Sequence, residues 1–251
     1  MVENIIAPLI ASLATAALIG ISIVARRWMK RRSPLTGTGE VLIPKAWELA
    51  LPTAEALPSD VPEAERAYVP LYRLLRQRGA ADFRMTTAKI LVENRSEQPL
   101  TIINITVQRE QVGDPFSAAW VRYPPAGAAE ALVLNFPLDE DHPEAWSAAY
   151  EGATGNLVRT GDRPYFEDHV ITLSPGESQS LLITGRAESV RCSWWLKIET
   201  SQAGRHKVVP VKPEGGAFLT SGTPASGFSH RWEWRWYDGN AARFAPPPEY
   251  E

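Results

Sequence analysis

The residues best suited to recognition or chemistry lie in three places. The run HRWEWRWY, residues 230–237, places His230, Trp232, Trp234 and Trp236 on one face of an extended strand. Arg231, Glu233, Arg235 and Tyr237 fall on the other. A row of three indoles suits a proline-rich peptide, an apolar protein surface or a sugar ring. The competing reading is that the row plugs the open end of a core. Each buried indole would then be worth roughly 3–5 kcal/mol against alanine. The run LDEDHPEAW gathers Asp139, Glu140, Asp141, His142 and Glu144, and hard cations favour such carboxylates. A calcium loop, however, requires a glycine that does not follow Asp139 and Asp141, so a solvated acidic loop is expected. The third place is Cys192, the only cysteine. It alternates with apolar residues and is expected as a buried, inert thiol.

A single cysteine excludes a disulfide within the chain and a cysteine-rich zinc site. The histidines at 142, 169, 206 and 230 lack metal-ligand spacing. No nucleophile elbow occurs, because GESQS ends in Ser180, and there is no phosphate-cradling or dinucleotide-binding glycine loop. No catalytic residue, cofactor or metal ligand is therefore expected. Asn94-Arg95-Ser96 and Asn104-Ile105-Thr106 match glycosylation sequons, which carry no meaning in a cytosolic domain.

Charge separates the chain into two parts. Residues 1–32 hold five basic residues against Glu3, a net of +4, and the overall −3 leaves about −7 for residues 33–251. That acidic remainder argues against nucleic acid as a partner, since phosphate binding needs a basic surface. From Ile5 to Ala25 no residue is charged. As a helix this stretch spans about 31 Å, close to the ~30 Å hydrocarbon core, and predicts a transmembrane anchor through residues 5–25. A cleaved signal peptide fits less well, because the basic residues follow the apolar run rather than precede it. Arg26, Arg27, Lys30, Arg31 and Arg32 should stay on the cytosolic side, which puts the N-terminus outside and the large domain in the cytosol. Ser12, Ala16 and Gly20 recur every fourth residue and form a small-residue strip of the kind found in transmembrane dimers; chance spacing in an Ala-rich span is the alternative.

The elements behind the anchor follow from punctuation and period. Residues 33–79 read as a Pro-rich tether with short helices, interrupted at Pro34, Pro44, Pro52 and Pro58. Extended, the 26 residues 33–58 would reach about 90 Å. PLYRLLRQRG puts Leu71, Leu74 and Leu75 on one face with Gly79 as the stop; packing on the following domain is expected over lying on the membrane. After Gly79 the period becomes two. Ile90 and Val92 share a face, residues 94–99 turn, and Ile103, Ile105 and Val107 share a face in the next strand. ALVLNF, HVITL, SLLIT, CSWWLKIE, HKVVPV and FSHRWEWRWY follow as further strands, with Cys192, Trp194, Leu196 and Ile198 on one face. At least eight short strands with little helix predict an antiparallel sandwich over residues 80–251.

ILVENRSEQPLTI, the LSPGES turn and the Trp-bearing strand resemble bacterial immunoglobulin-like or fibronectin-like sandwich domains over residues 83–212. The resemblance implies a fold and brings no catalytic residues, and the paired cysteines of antibody domains are missing. The expected whole is mainly β, an immunoglobulin-like β-sandwich behind one transmembrane helix and a Pro-rich tether. Its expected role is a non-catalytic scaffold with an unidentified protein partner. A metal- or ligand-binding sensor or enzyme, and an outward-facing glycan binder, are the alternatives.

Overall fold

The computed structural model describes residues 34–42, 47–54, 68–123, 133–151, 156–214, 216–235 and 243–245. The expected span 5–25, with Ser12, Ala16 and Gly20, lies outside them. Among the described residues no helix is long and apolar enough to cross a membrane.

The chain is mainly β, and its strands form two mixed sheets. In chain order the strands begin β1 Leu35–Val41, β2 Trp47–Leu51, β3 Ala81–Phe83, β4 Met85–Asn94, β5 Leu100–Gly113 and β6 Ala119–Tyr123. They continue β7 Val133–Pro137, β8 Trp146–Glu151, β9 Asn156–Arg159, β10 Ile171–Leu173 and β11 Ser178–Arg186. The last are β12 Arg191–Gln202, β13 Arg205–Val211, β14 Phe218–Ser221, β15 His230–Arg235 and β16 Arg243–Ala245. Helix α1 is Tyr68–Gln77 and the single turn α2 is Tyr165–Asp168. The first sheet runs β1-β4-β11-β7-β8-β9. The second runs β10-β5-β12-β14-β3-β2-β6-β15-β16, with β13 beside the C-terminal half of β12.

The two sheets pack face to face. Ile90 and Val92 of β4, Leu134 and Phe136 of β7 and Leu181 and Ile183 of β11 meet Leu100, Ile102 and Ile105 of β5 and the inward face of β12. That inward face is Cys192, Trp194, Leu196 and Ile198, all fully buried, as the period-two pattern requires. Gly185 of β11 lies against the Trp194 ring, and a Cβ there would collide with it.

Three features differ from the sequence expectation. The pairing is not purely antiparallel, because β11–β7, β14–β3 and β15–β6 run parallel. Alternation reports which face is buried and carries no information on strand direction.

In β5, Leu100 and Ile102 are buried, then Ile105, while Ile103 is only partly buried. Glu199 pairs with Asn104 and Thr200 with Ile102, so Ile103 is the extra residue of a β-bulge, which resets the inward parity.

The expected tether over 33–79 is in part built into the fold. β1 pairs with β4 along its whole length, and β2 lies between β3 and β6. Pro34 and Pro52 flank these strands rather than interrupt them, positions where the missing N–H costs no ladder bond.

Helix α1 covers the extension of the second sheet. Leu71, Tyr72 and Leu75 pack on Trp47, Leu49 and Leu51 of β2 and on Ala119, Val121 and Tyr123 of β6. The expectation that this helix packs on the domain holds. Its end is a Schellman turn: Ala80 N–H donates to Leu75 O (3.0 Å), Gly79 N–H donates to Arg76 O (3.0 Å), and Gly79 takes φ +87°.

Candidate interaction surface

The Trp-bearing strand β15 is placed by its parallel pairing with β6, which sets Trp232 beside Val121 and Glu233 beside Arg122. Trp232 is partly buried and packs on the cluster beneath α1, which is the core-plug arrangement. His230 is exposed, with Nδ1 3.3 Å from the Ala118 carbonyl oxygen. Trp234 lies in the strand opposite Phe244, and Trp236 falls outside the described residues. On the face of β6 away from α1, Arg122 lies 3.6 Å from Glu48 and 3.8 Å from Glu233, while Trp120 Nε1 donates to Glu48 at 3.1 Å. Charge pairs therefore cross β2, β6 and β15.

The acidic run does not converge on a cation. Asp139 accepts the N–H groups of Glu188 (2.7 Å) and Ser189 (2.8 Å) and the Ser189 hydroxyl (2.8 Å). Burial pushes its carboxyl up, yet these bonds and the Val190 N–H outweigh that and hold it below the ordinary carboxylate value. Asp141 pairs with Arg109 at 2.7 Å, and Glu140, His142 and Glu144 are exposed. Among the described residues no group of His, Cys, Asp and Glu is placed to hold a metal ion. The Cys192 thiol is fully buried, and burial pushes its pKa up to about 11.

Sequence reasoning missed an open cleft of about 1010 Å³ between α1 and the β1 edge of the first sheet. One wall carries Tyr72, Arg73, Arg76 and Gln77 from α1. The other carries Thr38 and Glu40 of β1, opposite Leu91 and Lys89 of β4, with Glu214 at the rim. Among the described residues Arg73, Lys89, Glu40 and Glu214 make no ion pair. The cleft thus carries two cations and two carboxylates, with Glu40 and Lys89 directly opposite each other on the paired strands β1 and β4 and Arg73 on the facing helix. Arg73 was legible only as an exposed residue of an amphipathic helix, and nothing local pairs it with a strand 16 residues away at Lys89.

The helix wall is held by a buried polar chain. Tyr72 Oη donates to Asp82 Oδ1 (2.6 Å), Thr86 Oγ1 donates to Asp82 Oδ2 (2.8 Å), and Thr86 and Thr220 hydroxyls lie 2.7 Å apart. Arg76 Nη1 donates to the Ala80 and Leu219 carbonyls at 2.9 and 3.0 Å, and lies 3.9 Å from Asp82. Asp82 is 5% exposed, so the Tyr72 and Thr86 hydroxyls keep its buried carboxyl from being left unpaired.

A scan against protein-family models finds no match for this chain, and no curated protein matches it.

Proposed function

We propose that this chain is a single-pass membrane protein whose β-sandwich lies in the cytosol and presents the cleft between α1 and β1 to an extended polypeptide partner, without catalysing a reaction. The observation that carries the reading is the cleft's charge of both signs, Arg73 on a helix tied down through Tyr72 to Asp82, and Glu40 and Lys89 on two strands paired along the whole of β1. A polypeptide segment of mixed charge is the chemistry that complements it. The kinship with immunoglobulin-like domains belongs to the same proposal. Trp194, buried between the sheets on a central strand, supports it, and the parallel pairings set this chain apart from that pattern.

A photo-crosslinking residue placed at Gln77 of the full-length chain in membranes tests the partner. The expected result is a crosslinked polypeptide of discrete mass that disappears with Arg73→Glu and Lys89→Glu. A product unchanged by both substitutions, or saturable stabilisation by a small molecule or metal without any crosslink, overturns it. Topology is tested separately by fusing to Glu251 a reporter active only in the cytosol and, in parallel, one active only outside. Signal from the external reporter overturns the cytosolic placement.

A further inference from the structure

We infer that one end of the sandwich, carrying the turns at 94–99, 174–177 and 202–205, rests against the lipid headgroups, which holds the α1 cleft away from the bilayer. The inference rests on the anchor reading and deepens it. The chain joins the fold at this end: Arg95 N–H donates to Pro34 O at 2.8 Å, and Leu35 pairs with Asn94. Nine residues separate Ala25 from Leu35, a reach of at most about 30 Å. Arg26, Arg27, Lys30, Arg31 and Arg32 are attracted to the headgroup layer. With them held there, Ser33 and Pro34 alone span the remainder, about 7 Å. That is short against β4, whose ten residues extend about 33 Å.

The end is also tied together, so the three turns lie with Pro34 at the same end of the sandwich. Asn94 is fully buried, and its Nδ2 donates to Gln98 O (2.9 Å), Leu173 O (3.0 Å) and Ser174 O (3.1 Å). Gly176 N–H donates to Asn94 O (2.8 Å), and Gln202 Nε2 donates to Ser96 Oγ (2.5 Å) and Gln98 O (3.0 Å). These bonds tie the turns into one plug.

Charge fits a headgroup surface. Residues 33–251 carry about −7, yet this end balances Glu93, Glu97 and Glu177 with Arg95, Arg205 and Lys207. Arg95 is paired with Glu93 at 2.9 Å, and Glu177 accepts the Ser174 N–H at 2.7 Å. The acidic excess lies elsewhere on the molecule, so an anionic leaflet does not repel this end. The cleft is lined by β1 from Thr38 to Val41, about 10–20 Å further along the strand than Leu35.

The test uses the full chain in phosphatidylcholine nanodiscs containing a headgroup-labelled acceptor lipid. Donor dyes are attached at Ala203→Cys or Pro175→Cys, both exposed turn positions, and at Gln77→Cys beside the cleft. The expected result is a larger loss of donor lifetime at 203 and 175 than at 77. Equal losses, or a larger loss at 77, in a chain that survives alkaline extraction overturn this inference alone. A chain released by alkaline extraction overturns the anchor reading and this inference with it.

Discussion

Trp194 and Thr220 meet in the centre of the molecule: the indole N–H donates to the threonine Oγ1 at 2.9 Å, and both residues are fully buried. The same hydroxyl lies 2.7 Å from that of Thr86, which donates to Asp82, and Asp82 accepts from Tyr72. One hydrogen-bonded chain therefore runs from the sandwich core to helix α1, and the cleft wall depends on it.

Replacing Thr220 by Val keeps the shape and removes the hydroxyl. It leaves the Trp194 N–H unpaired in the core, at a cost of about 1–3 kcal/mol. Urea unfolding of Thr220→Val should show the lower midpoint at unchanged slope, and Thr220→Ser should recover most of it.

Asp139 should make stability depend on pH. Its folded-state pKa is depressed, so its contribution is fully present above about pH 3.9, the ordinary unfolded value, and is lost as the pH falls through the lower folded value. At neutral pH Asp139→Asn should cost about 1–2 kcal/mol, modest because the carboxylate is half-exposed. Urea midpoints measured from pH 2 to 7 check this: wild type and variant should converge in acid.

The β12–β13 turn holds Ala203 at φ +48° and Gly204 at φ +74°. Two successive positive values are those of a type I′ hairpin turn, where alanine carries a left-handed penalty that glycine does not. Ala203→Gly should raise stability by roughly 0.5–1 kcal/mol, read as a higher melting temperature with unchanged circular dichroism.

The Cys192 thiol, fully buried with its pKa pushed up to about 11, should not react in the native protein. Incubation with a chromogenic disulfide at pH 8 should give no signal until denaturant is added. A rapid native reaction would mean that β12 opens readily.

How much of the molecule was legible in advance follows from what is local. The alternation Cys192, Trp194, Leu196, Ile198, the pair Ile90 and Val92, and the α1 stripe ending at Gly79 were all readable, because burial on one face writes a period into the sequence itself. The apolar stretch 5–25 and its basic flank are legible in the same way.

Tertiary structure decided the rest. Ile105 and Val107 face the core as expected, while the bulge at Ile103 gives the preceding inward place to Ile102, because an extra residue is fixed only by the partner strand β12. Leu35–Val41 and Trp47–Leu51 became strands because β4, β3 and β6 offered them unpaired edges, a choice their Pro-flanked sequences do not record. Asp82 met Tyr72, and Thr86 met Thr220, across 10 and 134 residues. Such meetings are selected by the free energy of leaving no buried polar group unpaired, which only the assembled fold evaluates.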